Sequence, residues 1–600
     1  MLNDLKKIFY LLTSSERKKS ILLLIIILFV ALLDMIGIAS ILPFIAVISN
    51  PELVETNFLL NKLFILSNGV GVNTKEDFYF ILGIIVFILL ISSLSFKALS
   101  TYVQLRFSLM CEYSIARRIV EGYLHQPYIW FLNRNSADLG KTILSEVGQV
   151  VNGSLISIIN FVNYWMIIIF IIILLLIVDL KLTLIIISVL GFAYGTIYLA
   201  VKHFLKAIGE KRIKANEQRF LSISEAFGAA KEVKVGNLEE VYLDRFSKPA
   251  KNYANYNAIS SIISMTPRFA IEAISFGGLL LVILYFMRAG NDFVNFLPVL
   301  TLYAFAGYRI LPAAQSVYSA MIVSRFNKPA LITLYKDVKS LKTSNPIKSY
   351  NKLFPKKNIL LKNVNFNYPN TKKISLKNID LEIIAGKSVG IVGATGSGKT
   401  TIVDIILGLL EPQHGTLEVD GKIINKDNVR SWQRSIGYVP QQIYLADDTI
   451  ARNIAFGVDS DKINQQSLKR AAKIANLDQF ITNELPKEYE TYIGERGVRL
   501  SGGQRQRIGL ARALYHQPKV LILDEATSSL DNITEKSVMK LINESSKDIT
   551  SIFIAHRLTT IKNCDTIFLF DNGTLKARGS FKELSMKNEK FFMMQQDNLN

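Results

Sequence analysis

Over the first half of the chain, apolar runs of about 20 positions alternate with basic stretches, and the pattern stops near residue 330. A helix crossing about 30 Å of hydrocarbon needs about 20 mostly apolar residues. Six segments reach that length: Ile21 to Ile48, Phe78 to Leu99, Leu155 to Val178, Leu182 to Val201, Pro267 to Met287 and Phe293 to Met321. The third, LISIINFVNYWMIIIFIIILLLIV, carries no charge, whereas Glu272 and Arg309 interrupt the fifth and sixth. Between spans, residues 101–153 and 202–264 hold runs such as CEYSIARRIVEGYL and EQRFLSISEAFGAAKEVK, which lack proline and predict helices continuing beyond the bilayer. After the first span, Leu53, Phe58, Leu60, Leu63, Phe64 and Leu66 recur at roughly helical spacing. That spacing predicts either a short amphipathic helix on the outer face or a loop capping the spans. Residues 327–357 are polar, basic and punctuated by Pro329, Pro346 and Pro355, as a linker would be. The expected organisation is therefore a membrane domain over 1–326, a linker over 327–357 and a soluble domain over 358–600.

Charge orients this arrangement. The net charge is +20, a balance shared by nucleic-acid binders and by membrane proteins with basic cytoplasmic loops; the spans decide for the second. Lys6, Lys7, Arg17, Lys18 and Lys19 precede the first span, and both long inter-span stretches are rich in Lys and Arg. The loop 51–77 sets only Lys62 and Lys75 against Glu52, Glu55, Glu76 and Asp77. The positive-inside tendency then places both termini, both long loops and the soluble domain in the cytoplasm of a cell (inner or plasma) membrane. The first apolar run is too long for a secretory signal and has no small-residue cleavage site, so it is expected to be retained. Two distant cysteines, Cys111 and Cys564, exclude a disulfide framework or a cysteine-based zinc site.

The chemistry lies after residue 358. An apolar strand, Val389 to Val392, enters a glycine-rich turn and leaves as an amphipathic helix. The turn fits G-x-x-x-x-G-K-[ST] through Gly393, Ala394, Thr395, Gly396, Ser397, Gly398, Lys399 and Thr400, followed by Thr401. Glycines let backbone N–H groups close around phosphate oxygens, and the helix start adds its positive dipole end. Lys399 suits the β- and γ-phosphates, and the Thr400 hydroxyl suits Mg²⁺. Downstream, the buried-strand run KVLILDE ends in Asp524 and Glu525, one fitted to order Mg²⁺ and the other to polarise an attacking water. LSGGQ, with Ser501, Gly502, Gly503 and Gln504, opens a second helix and so a second potential phosphate site. If the two helix starts cannot meet within one domain, two domains must sandwich the nucleotide.

GATGSGKT, LSGGQ, LILDE, SSLD (Ser528 to Asp531) and AHR around His556 follow in the order of the ATP-binding cassette of ABC transporters, and six spans before one cassette resemble exporter-type half-transporters. The resemblance implies a multi-pass α-helical membrane domain with long intracellular extensions, fused to an α/β P-loop ABC domain that binds ATP and Mg²⁺. It implies roles residue by residue. Tyr368 resembles the aromatic that stacks on adenine. Gln441, in YVPQQ, resembles the glutamine that senses the γ-phosphate and Mg²⁺. Glu525 corresponds to the catalytic carboxylate, His556 to the γ-phosphate histidine and Asp531 to the aspartate linking two cassettes. GERG (Gly494 to Gly497) resembles the exporter segment that contacts coupling helices. HQPYIWFLNRNSADLGK and SEAFGAAKEVKVG resemble the first and second coupling helices, the alternative being plain solvated turns.

Cargo is less legible. Ionisable residues at membrane depth usually face a cavity or a partner, and the candidates are Asp34, Arg268, Glu272 and Arg309. Arg268 and Glu272 are spaced to neutralise each other on a helix. Arg309 lacks an opposite charge nearby in sequence; in a two-fold dimer two such guanidiniums would suit a phosphate or pyrophosphate, the alternatives being that it snorkels to an interface or pairs with Asp34 or Glu272. LLDMIGIASILPF, TPRFAIEA and YRILPA resemble lipid-linked oligosaccharide flippases. That likeness implies a homodimer in the lipid bilayer moving an amphipathic polyprenyl-pyrophosphate glycan outward, with no nucleic-acid partner. An exporter of another lipid, a peptide or a drug, a heterodimer, and an ATP-gated regulatory membrane subunit stay open as alternatives.

Overall fold

The computed structural model describes the whole chain except residues 1, 69–73, 274–275, 278–279, 281–283, 285–292, 342–351, 370, 372–373, 527–531, 546–547, 556 and 598–600. Its contacts divide the chain into two compact units, Met1–Gln126 with Asn133–Ser344, and Pro127–Leu132 with Asn345–Asn600.

In the first unit every labelled element is a helix: α1 (Leu2–Leu11), α2 (Ser14–Ala39), α3 (Ile41–Ser49), α4 (Phe58–Asn68), α5 (Lys75–Leu124), α6 (Ile156–Val178), α7 (Leu180–Gly228), α8 (Glu239–Met265) and α9 (Phe293–Ser340). Thr13, Thr74 and Asp179 start α2, α5 and α7, each side-chain oxygen accepting an otherwise orphaned backbone N–H. Among the described residues, four helical stretches are long and apolar enough to cross a membrane: Ser14–Ser49, Lys75–Leu124, Ser136–Val178 and Leu180–Gly228. They contain the first four expected spans. The fifth lies partly outside the described residues, and the sixth opens α9.

Burial follows the helical period. Leu302, Ala306, Ile310, Ala313 and Val317 form one stripe of α9, packed against Ile167, Ile168, Ile171 and Leu175 of α6. Two turns of π-helix, Thr142–Glu146 and Val151–Leu155, interrupt the run leading into α6. There the fully buried Arg212 of α7 donates to Glu146 at 2.9 Å, and Asn216 donates to the other Glu146 oxygen at 2.8 Å. Beside them a Cβ on Gly209 would fall 2.1 Å from the Phe326 carbonyl oxygen, so glycine sets how closely α7 and α9 approach.

Two expectations change. The linker expected from residue 327 is helical to Ser340, and the units part at Ser344 and Asn345. Pro329 removes one helical hydrogen bond, but Ala330, Leu331 and Leu334 bury an apolar face that carries the helix through it. The segment after the first span is the helix α4 and not a loop, and Leu60, with Val54 just before it, packs on Val47, Phe78 and Leu82 while Phe58 and Ile65 stay exposed.

The second unit holds two sheets. β1 (Asn358–Phe366), β2 (Leu376–Ile384), β4 (His414–Val419) and β5 (Lys422–Ile423) form an antiparallel sheet in the order β2-β1-β4-β5. β3 (Ser388–Gly393), β6 (Ile436–Val439), β7 (Val520–Asp524), β8 (Thr550–Ile554), β9 (Thr566–Asp571) and β10 (Thr574–Gly579) form the second, ordered β10-β9-β3-β8-β7-β6. Strands β9, β3, β8, β7 and β6 pair in parallel, and β10 joins β9 antiparallel. Apolar residues fill both faces of these strands, as a covered parallel sheet requires. Leu521 and Leu523 join one core while Val520 and Ile522 join another, the period-two alternation that separates the faces. Helix α10 (Lys399–Ile406) lies on the second face through Ile402, Val403, Ile405 and Ile406. Helix α11 (Gly502–Tyr515) lies on the first through Ile508, Ala511 and Leu514.

Candidate functional site

β3 delivers the glycine-rich turn to the carboxyl end of the sheet. Gly393, Gly396 and Gly398 have φ of 155°, 79° and 101°. A Cβ on Gly393 would lie 2.2 Å from the Phe570 carbonyl oxygen and 2.6 Å from Ser397 Oγ, so a side chain is excluded there. The loop tip, Ala394 to Gly396, is exposed, as is Thr400. Ser397 is buried and its hydroxyl has no hydrogen-bond partner. Lys399, also buried, donates to the carbonyls of Gly393 and Ala394 at 2.7 and 3.0 Å. Burial draws its ammonium below the usual lysine range, and the carboxylates of Glu525 and Asp524 pull it back up. An orphaned hydroxyl and a cation held only by neutral carbonyls inside a loop start fit a phosphate chain.

Asp524 ends β7 in register with Ile554, and Glu525 follows at φ 50°, in the left-handed region where a residue with a side chain is strained. Its N–H donates to the Ile554 carbonyl at 3.0 Å. Gln441 donates through Nε2 to Glu525 Oε2 at 2.7 Å, so two residues 84 positions apart meet at the strand ends. The Tyr368 hydroxyl stands 3.3 Å from Thr401 Oγ1, and its ring packs edge-on to Phe366. Asp531 and His556 lie outside the described residues.

Ser501 caps α11 reciprocally: its Oγ accepts from Gln504 N at 3.2 Å, while Gln504 Oε1 accepts from Ser501 N at 2.8 Å. The N–H groups of the first turn remain for an anion. Helices α10 and α11, which carry the two starts, cover opposite faces of the sheet.

Thr400, Asp524 and Gln441 are the expected Mg²⁺ residues. They offer only hard oxygen donors, which suit that ion.

Two neighbours carry no motif and escaped the sequence. The Tyr438 hydroxyl, three residues before Gln441, lies within electrostatic range of Asp524 and Asp404. Asp404, one turn into α10, is buried, which together with the nearby Asp524 charge pushes its carboxyl up to about 6. A polar residue on the buried side of an amphipathic helix was the available signal.

The segment that resembles a first coupling helix contributes a short helix, Tyr128–Leu132, to the second unit, where Ile129 packs on that unit's core. The second gives a helix at Ala230–Val235 in the first unit, with Phe227 and Val235 among its most exposed apolar side chains. Gly494, Arg496 and Gly497 form a tight turn, each at positive φ.

In the membrane unit Arg268 pairs with Glu272 at 2.6 Å, the neutralising arrangement their spacing allows. Arg309 is also paired: its Nη1 lies 3.5 Å from Asp34 Oδ1, which accepts from Ser93 Oγ at 2.6 Å. Lys97, one turn beyond Ser93 on α5, lies within electrostatic range of both. Its place close to the end of the second apolar run hid it among ordinary flanking lysines.

A family profile described as "ABC transporter" matches residues 376–528, and one described as "ABC transporter transmembrane region" matches residues 19–308. The chain is 32% identical over 485 residues to an ATP-dependent lipid A-core flippase of Saccharophagus degradans, covering 78% of this chain and 79% of that one. To the protein of the same name from Cupriavidus metallidurans it is 28% identical over 536 residues, 87% and 88% of the two chains. The structure of a bacterial Atm1-family ABC exporter with ATP bound matches with a TM-score of 0.78 at 21% identity, over 97% of this chain and 98% of that one, a likeness of fold.

Proposed function

The chain belongs to the ABC transporters, as an exporter-type half-transporter with one membrane region fused to one ATP-binding domain, and from that premise we propose that it is a flippase moving an anionic amphipathic lipid outward. A lipid-linked oligosaccharide with a polyprenyl-pyrophosphate head is the cargo proposed. ATP binding and its coupling to transport come with the family. The observation that carries the cargo class is the Asp34–Arg309 pair with Lys97 beside it, three charges summing to one positive among apolar helices. Charge at that depth is costly and marks a pathway for a charged group. Lipid A-core, named for the relatives, is likewise a lipid, which supports the class though not the particular glycan.

The cassette residues do the following. The exposed N–H groups of the loop after β3 bind phosphate oxygens, and Lys399 exchanges its two carbonyl partners for the β- and γ-phosphates. Glu525, oriented by Gln441, accepts a proton from the attacking water, and its strained backbone fixes the direction of the carboxylate. Mg²⁺, held by Thr400, Asp524 and Gln441, would supply charge neutralisation on the phosphate oxygens. Asp531 and His556 keep their expected roles in this proposal.

A second copy of the chain supplies Ser501–Gln504 across each nucleotide. The support is the placement of α10 and α11 on opposite faces of the sheet, each carrying its own anion-binding start. Exposed Phe227 and Val235 suit contact with that copy. Cytoplasmic termini in a cell membrane follow from the basic stretches flanking the spans. A purely regulatory, ATP-gated role is disfavoured by the Gln441–Glu525 arrangement, which serves turnover.

ATP hydrolysis by the reconstituted protein, challenged with a panel of lipids, peptides and drugs, tests the cargo. Stimulation confined to lipids with phosphate or pyrophosphate heads is expected; stimulation by peptides or neutral drugs alone would replace the reading with the corresponding exporter.

A further inference from the structure

β6 ends at Val439, paired in register with Leu523 of β7, and the chain then carries Pro440 and Gln441 out of the sheet. The residues that follow are gripped by α11. A Cβ on Gly509 would fall 2.5 Å from Ile443 Cδ1, so glycine there seats Ile443 against the helix. Arg512, one turn further on, donates through Nη1 to the Tyr444 carbonyl at 2.8 Å, through Nε to the Asn453 carbonyl at 2.8 Å and through Nη2 to Asn453 Oδ1 at 3.2 Å. Its guanidinium also stands 4.5 Å over the Phe456 ring. Asn453, fully buried, holds Ala446 in both directions: Oδ1 accepts from Ala446 N at 2.9 Å, and Nδ2 donates to the Ala446 carbonyl at 3.0 Å. Gln441 therefore sits in a short span, Pro440 to Ile443, fixed by a strand at one end and by α11 at the other, and its Nε2 meets Glu525 in between. One turn before Gly509 on the same face of α11, Gln506 Nε2 lies 3.5 Å from the Glu525 carbonyl.

The oxygens that Arg512 holds are all neutral. Burial lowers its guanidinium to about 10, with Tyr444 opposing the shift, so it stays charged at neutral pH. A guanidinium drawn from water onto neutral oxygens gains no ion pair in return; what the planar fork supplies is direction, with N–H groups fixed on two separated residues at once. We propose that Arg512 is a positioning residue for hydrolysis: it holds the far end of the span so that the Gln441 amide stays on the Glu525 carboxylate, and it thereby sets turnover rather than nucleotide affinity. The role rests on the reading of Glu525 as the base. Arg512 acts through the loop, and a misplacement of about 1 Å at the reacting groups is enough to cost about 100-fold in rate.

The test is a double-mutant cycle on the full chain in liposomes, with hydrolysis followed by radiolabelled ATP so that slow variants stay on scale. Arg512→Met keeps the length of the side chain and removes the donors; kcat is expected to fall about tenfold with KM within about twofold. Arg512→Lys, which keeps the charge but not the fork, should lose about threefold, and it takes the place of Arg512→Met if that variant does not fold. The deciding comparison is made in Gln441→Ala, where either substitution should leave kcat within about twofold of that single variant, because the group it positions is gone. A residue that merely holds the fold together lowers kcat by the same factor in both backgrounds; that result overturns the proposal, as does a wild-type kcat in Arg512→Met. Glu525→Gln on the same preparation separates the two levels. If it hydrolyses ATP briskly, the base assignment fails and the positioning role with it. If it is inactive while the Arg512 and Gln441 losses multiply, the positioning role alone falls.

Discussion

Glu525 shows how one residue is fixed by several independent constraints. Its backbone is left-handed, its N–H is tied to β8 and its carboxylate accepts from Gln441. Glu525→Gln keeps the shape and hydrogen-bonding reach but removes the base. ATP affinity should stay within about threefold while phosphate release falls by about 100-fold or more, as loss of a positioned base entails. Nucleotide binding and phosphate release on the same preparation check this, and brisk turnover by the variant would remove Glu525 from the role. Asp404 offers a different prediction, about stability. Its carboxyl is raised to about 6 by burial and by Asp524, so the folded chain holds that proton more tightly than the unfolded chain does. The sign is therefore a loss: stability contributed by the protonated acid is complete below about 4 and gone above about 6. Asp404→Asn should raise stability at pH 8 by about 2 kcal/mol and make no difference near pH 4. Melting curves at the two pH values decide it; equal melting of both proteins at pH 8 would contradict the burial argument.

At the scale of elements, close approaches govern how the helices meet. Gly209→Ala would drive a Cβ into the Phe326 carbonyl from 2.1 Å, and backbone cannot step aside as a side chain does. A loss of about 1–3 kcal/mol is expected, read as a lower melting temperature with ATP binding retained; an unchanged melt would show that α7 and α9 separate freely. Such contacts were not visible in the sequence, whereas the elements themselves largely were. Apolar length announced the first four spans, and glycine, lysine and threonine spacing announced the turn after β3, because both signals are local. The extent of α9 was missed because Pro329 is a local breaker overruled by burial of Ala330, Leu331 and Leu334. The π-turns at Thr142–Glu146 and Val151–Leu155 answer to packing against α5 and α9 and leave no mark in composition. Local spacing gave the Arg268–Glu272 pair, four apart, whereas for Arg309 the sequence offered Asp34 and Glu272 alike as partners and the fold selects Asp34.

For the whole molecule, the two ends of the argument meet in coupling. The second unit supplies a nucleotide site whose two helix starts lie on opposite faces of one sheet, and the first supplies a charged cluster among apolar helices. In the proposed cycle alternating access joins them: closing two cassettes on ATP reorients the helices around the cluster, and hydrolysis at Glu525 resets them. The central claim is that this work moves an anionic lipid between leaflets. The direct measurement is the ATP-dependent loss, from the accessible leaflet of proteoliposomes, of a fluorescent polyprenyl-pyrophosphate oligosaccharide. The account predicts loss with the wild type and none with Glu525→Gln or Arg309→Ala. Undiminished loss with Arg309→Ala, or no loss from wild-type vesicles that still hydrolyse ATP, would contradict it.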